Sequence, residues 1–182
     1  MKTKHILTSL LFILTVNFTS QAQWKKQKAL KDTKIWRYDI ECEGIAKQGA
    51  KLVKVWSYSK NPKHAIASAM RNAVHGMIFK GYAGGGQGCT PMQPLIKDIE
   101  TEEKFKTFFD DFFDEGGDYL KYVSTATDGS IAPGDRLKVS RREYKIGVVV
   151  NVMTDQLRKR LEKRKHYQII KLWFLTKQVL KL

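Results

Sequence analysis

Hydrophobic and polar positions alternate twice early in the chain. Trp36, Tyr38, Ile40, Cys42 and Gly44 fall on one side, against Arg37, Asp39, Glu41 and Glu43 on the other. From Lys51 to Tyr58 the alternation returns, with Leu52, Lys54, Trp56 and Tyr58 opposing Val53, Val55 and Ser57. Period two with one polar side predicts half-buried strands. The link 46–50 contains Gly49, at a length that suits an antiparallel hairpin. The period then becomes three and four. Asn61 is a good cap, Pro62 fits a first helical position, and Ile66, Ala69, Met70, Ala73, Val74 and Met77 form an apolar stripe. The helix should stop near Lys80–Gly81, and Ala65, Ala69 and Ala73 let it lie close to a sheet.

A second helix is expected from about Glu102 to Glu115, capped by Thr101 and ended by Gly116–Gly117. Its stripe of Phe105, Phe108, Phe109, Phe112 and Phe113 reads as core. Extended runs follow at Tyr119–Ser124 and Arg136–Ser140. The β-branched run Tyr144–Val152 (YKIGVVVNV) predicts a central strand. A third helix begins after Thr154 and carries Leu157 and Leu161. The order β-β-α-α-β-β-β-α predicts an α+β fold, a mainly antiparallel sheet with two or three helices packed on one face.

The first 22 residues carry a different pattern. Lys2 and Lys4 precede an uncharged, mostly apolar run of 13 residues, Ile6 to Phe18, and small residues lead to a cut after Ala22. That order predicts a cleavable signal peptide, and the run is shorter than the roughly 20 residues of a membrane span. The expected organisation is a signal peptide at 1–22, a basic arm at 23–34, one domain over 35–165 and a basic, aromatic tail at 166–182. No later stretch is long and apolar enough to span a bilayer. The expected location is the periplasm or the exterior, with peripheral membrane contact left open. Cys42 and Cys89 are candidates for a disulfide, which an oxidising compartment permits, or for a reactive thiol.

Net charge sharpens the question of partners. The 182-residue chain carries +15; without Lys2 and Lys4 it keeps 31 basic against 18 acidic side chains, a net of +13. Residues 44–97 hold eight Lys or Arg and no acid, 98–118 hold nine acids, and 163–182 hold six Lys or Arg and no acid. Segregated positive charge favours anionic partners: lipid headgroups, lipopolysaccharide phosphates, acidic glycans or an acidic protein face. Nucleic acid is disfavoured by compartment. Self-association is compatible with the same asymmetry.

Candidate chemistry is sparse. The loop 80–88 (KGYAGGGQG) follows a helix instead of preceding one, and lacks the Gly-Lys-Ser/Thr ending of a phosphate cradle. It reads as an adaptable surface loop. His64, Ser68, Arg71 and His75 share one helical face opposite the apolar stripe. His64, Arg71 and His75 form a candidate anion site, although a solvated face is the simpler reading. The two histidines are about 16 Å apart, too far for one metal ion. Asp110, Asp111, Asp114, Glu115 and Asp118 form an acidic group for charge pairing or, less simply, a metal. No cofactor signature and no catalytic signature is present.

Several segments resemble known proteins. The strand with Gly44, the helix with Ala65, Ala69 and Ala73, and YKIGVVVNV leading to Leu157 and Leu161 resemble small α+β envelope domains found in flagellar-assembly proteins and related lipoproteins. NAVHGMIFKGY and FFDDFFDEGG resemble a family of secreted Bacteroidetes proteins of unknown function. The likeness covers roughly 36–162 and carries no catalytic motif. Several such relatives are lipoproteins, whereas this chain has no cysteine near the cut. The resemblance implies a non-enzymatic envelope role. The expected function is therefore an exported domain that binds or assembles with envelope components. The alternatives are a periplasmic hydrolase using His64 or His75 with the 110–118 carboxylates, or a binder of anionic lipid or lipopolysaccharide through the tail.

Overall fold

The computed structural model describes residues 36–59, 64–84, 88–98, 100–128 and 130–164. The expected signal peptide, basic arm, Asn61–Pro62 helix start and 166–182 tail lie outside them. Two alternating runs form the expected hairpin, β1 (Tyr38–Gly44) and β2 (Lys51–Ser59), paired antiparallel from Tyr38 opposite Ser57. The β-branched run is β5 (Glu143–Val152), paired with β2 from Tyr144 to Val152, Lys51 opposite Val152 and Ser59 opposite Tyr144. Its other edge is shared. β3 (Val123–Thr125) pairs with its end, and β4 (Arg136–Ser140) with its beginning. The result is an antiparallel five-stranded sheet, with β5 central as its sequence demands.

One sheet face is the core. Val53 and Val55 of β2 and Ile146, Val148, Val150 and Val152 of β5 are buried. Each such side chain stabilises the fold by roughly 2 kcal/mol. Against them lies α1 (Ala65–Phe79), whose Ala65, Ala69 and Ala73 are wholly buried and allow the close approach their size predicts. The chain then forms α2 (Thr101–Lys104), α3 (Lys106–Phe112) and, at 154–164, α4.

The second expected helix is thus two short ones. Phe105 takes φ −114°, ψ 30° and separates them, and the helical run ends at Phe112, before the glycines. With that break, Glu102 of α2 and Phe113 after α3 both reach His75 of α1. Of the phenylalanine stripe, Phe109, Phe112 and Phe113 are buried while Phe105 is exposed. The extended run expected from Tyr119 begins only at Val123. Asp118–Tyr122 is a 3-10 turn, pinned by Asp118 to Lys121 and Arg160.

The described part of the glycine loop is tied down instead of adaptable. Tyr82 and Met92 exchange two backbone hydrogen bonds of 3.0 and 2.9 Å, and Tyr82 is buried. The N–H groups of Leu95 and Ile96 donate to the carbonyls of Met77 and Ile78, satisfying helix-end acceptors that would otherwise lack partners. Gly81 makes the turn with φ 66°, and a Cβ there would overlap the Met92 carbonyl oxygen. Gly81→Ala is therefore expected to cost about 3 kcal/mol, the upper range for a strained left-handed residue. Urea unfolding measures it, and a loss below about 1 kcal/mol would mean that the loop moves aside without cost.

The other sheet face carries charge and aromatic rings. Trp56 lies flat over Gly147, where a Cβ would meet its ring at 3.0 Å. Its Nε1–H donates to Glu41 at 2.6 Å. Lys145 pairs with Asp39 at 2.8 Å, Arg37 with Glu143 at 3.0 Å, and Lys54 with Asp135 at 3.2 Å and Glu43 at 3.4 Å. Burial works against the Lys54 ammonium, but these two carboxylates hold its pKa above the usual lysine range.

Candidate functional site

The polar residues of α1 do not form a solvated face. Only His64, at the helix start, is exposed; Ser68, Arg71 and His75 are buried. The sheet covers one side of the helix and the segment 102–119 covers the other, so eleven of its fifteen residues are buried. Buried polar groups require partners, and several here have them, although Asn72 Oδ1 and Arg71 Nε make no hydrogen bond among the described residues. Asn72 Nδ2 donates to Ser57 Oγ at 2.9 Å. His75 Nδ1 lies 2.6 Å from the Tyr38 hydroxyl, and Nε2 lies 3.2 Å from Glu102 Oε1.

Chemistry fixes the proton positions along this line. Burial, then the Glu102 charge, pushes the Tyr38 pKa up, so its phenol is the donor to Nδ1. A carboxylate only accepts, so Nε2–H donates to Glu102. A neutral imidazole satisfies both contacts. Burial, with Lys80 and Arg71 nearby, lowers the His75 pKa to about 3. The ring is 3% exposed and packs against Phe79, Phe113 and Tyr38. Both nitrogens are occupied and the ring is sealed, so this line ties α1 to β1 and α2. Arg71 sits a turn earlier. Burial lowers its pKa, opposed by Tyr119, Asp114 and Asp110.

His64, Arg71 and His75 are thus not brought to a common anion site. His75 meets Glu102 and not the 110–118 carboxylates. In the acidic group, Asp110 pairs with Lys106 at 2.9 Å, and Asp118 pairs with Lys121 at 2.6 Å and Arg160 at 3.2 Å. The lysines hold close by and α4 supplies the arginine, so Asp110 and Asp118 face the chain's own cations. Asp111, Asp114 and Glu115 are exposed. Among the described residues no group of three or more His, Cys, Asp or Glu could hold a metal ion.

Cys42 of β1 and Cys89 are joined in a disulfide, 47 residues apart in sequence, with Cα atoms 5.8 Å apart. The bridge anchors the segment that begins at Cys89 and runs on to Lys97. That segment forms one wall of an open cleft of about 540 Å³. The opposite wall is the start of α4, held to the β1–β2 turn by Gly49. The Gly49 carbonyl accepts from the Asp155 N–H at 3.1 Å and from the Thr154 hydroxyl at 3.3 Å. Lys51, Lys97 and Arg158 line the cleft beside one carboxylate, Asp155. None of the three cations has a bonded partner among the described residues. Their positions in sequence are too scattered to be seen as a group, and no local motif marks them. The cleft has the size of a small-ligand site, and its free charge suits an anionic group such as a phosphate or carboxylate.

Comparison of the chain with protein-family models, with curated proteins and with solved structures found no match.

Proposed function

We propose that this chain is an exported, non-enzymatic binding domain whose basic cleft takes an anionic group of an envelope component. The convergence of Lys51, Lys97 and Arg158 on one cleft carries this reading. Three supports stand beside it: the signal-peptide pattern of the first 22 residues, the Cys42–Cys89 bridge, and the absence among the described residues of a helix long and apolar enough to cross a membrane. The envelope-domain resemblance agrees with it. The cleft's three tethers (the disulfide, the Tyr82–Met92 bridge and the Gly49 contacts) pre-organise its walls, which lowers the ordering cost of binding.

The test compares the wild-type chain with Lys51→Gln/Lys97→Gln/Arg158→Gln as baits in an envelope extract. The wild type is expected to retain a component at low salt and release it at about 0.5 M salt, where screening is short-ranged. The triple variant should bind that component about tenfold or more weakly. An unchanged profile for the variant, or nothing retained by the wild type at low salt, would sink the reading.

A further inference from the structure

Every other strand has at least one buried residue, whereas β4 has none. It pairs only with the start of β5, from Arg136 opposite Ile146 to Ser140 opposite Glu143, and Arg141 and Arg142 make the turn between them. Every residue of β4 is exposed. Leu137 is 48% and Val139 49% exposed, two positions apart. Residues 136–142 contain Arg136, Lys138, Arg141 and Arg142 and no acid. The nearby acids are already engaged: Asp135 at the base of the hairpin with Lys54, and Glu143 beside the turn with Arg37. Arg136 lies 5.0 Å over the Tyr144 ring. The side chains of Lys138, Arg141 and Arg142 have no bonded partner among the described residues.

Edge strands commonly carry charge to discourage pairing, but two large aliphatic side chains between the charges defeat that purpose. The combination needs a partner that offers anions and an apolar layer together. A protein core would strip water from the cations at high cost, and a purely polar anion would leave Leu137 and Val139 in water. An anionic lipid surface meets both needs, with phosphates outside and hydrocarbon beneath.

We propose that the tip of the β4–β5 hairpin is a membrane-docking element. Lys138, Arg141 and Arg142 contact the phosphates of an anionic leaflet, and Leu137 and Val139 enter the boundary between headgroups and acyl chains. The element is separate from the cleft. The cleft lies at the Val152 end of β5 and the hairpin at the Glu143 end, about 30 Å away at strand spacing.

Co-sedimentation with vesicles tests it, using the full chain at low salt. One set of vesicles is phosphatidylglycerol with phosphatidylethanolamine, the other phosphatidylcholine alone. The wild type is expected to sediment with the acidic vesicles only. Lys138→Gln/Arg141→Gln/Arg142→Gln should bind them roughly a hundredfold more weakly. Leu137→Ser/Val139→Ser should bind about tenfold more weakly. The cleft triple variant should bind like the wild type, which separates this outcome from that of the cleft. All these positions are on the surface, so thermal melts should confirm an intact fold. Wild-type affinity in either hairpin variant would overturn the proposal. Loss in the cation variant alone would identify a plain polyanion or acidic-protein surface, and binding that survives in both would place the contact elsewhere in the chain. A wild type that ignores acidic vesicles would end it outright.

Discussion

Replacing Cys42 and Cys89 together by serine is expected to cost about 4 kcal/mol, the chain-entropy value for a closed loop of this length. The loop spans β2, all of α1 and the Tyr82 turn, so the cross-link restrains a large part of the unfolded chain. In a thermal melt the loss corresponds to about 15 °C for a domain of this size. A reductant should shift the wild type by the same amount and leave the double variant unmoved. Binding in the cleft should weaken too, since the wall from Cys89 to Lys97 loses its anchor on β1. A melting point insensitive to reductant would show that the loop is held by its backbone contacts alone.

Acid is expected to destabilise the protein through one residue more than any other. The His75 pKa is about 3 in the fold and 6.5 for an ordinary imidazole. Between those values the unfolded chain takes up a proton that the folded chain refuses. The stability contributed by neutral His75 is therefore complete above pH 6.5 and is lost as pH falls through that window. At about 1.4 kcal/mol per pH unit, acidification from pH 7 to pH 4 removes about 3 kcal/mol. His75→Gln removes this titration while its amide can still accept from Tyr38 and donate to Glu102. Its urea midpoint should lie below that of the wild type at pH 7, and the gap should close as pH drops. Parallel pH profiles for the two proteins would refute the assignment.

The sheet was legible in the sequence because period two states directly which side of a strand is wet. β1 and β2 follow from that, while β5 and its central place follow from the β-branched run YKIGVVVNV. The environment of α1 was not legible. Its sequence has one apolar stripe, and the opposite line of Ser68, Arg71 and His75 looks solvated. Nothing local announces that Phe109, Phe113 and Tyr119 will cover it. Phe79 and His75 are part of the covering contact, and Glu102 arrives only because the chain breaks at Phe105. That break has no glycine or proline to mark it. The cleft is harder still. Lys51, Lys97 and Arg158 come from a strand, a loop and a helix, and the disulfide with the Gly49 and Met92 backbone contacts brings them together. The tethering of the described part of the glycine loop is hidden for a related reason, since composition registers the freedom of Gly81 but not the Met92 carbonyl that requires it.

The paired face of the sheet has a consequence for how the protein would behave between two surfaces. Asp39, Glu43, Asp135 and Glu143 are consumed there by Lys145, Lys54 and Arg37, which leaves that flank close to neutral. Among the described residues, two groups of unbonded cations sit at the two ends of β5. At physiological ionic strength the Debye length is about 8 Å, so poles about 30 Å apart scarcely feel each other. Each can engage an anion without weakening the other. If both proposed sites are occupied, the geometry would be that of a divalent cross-linker, holding an anionic ligand at a fixed distance from an anionic surface.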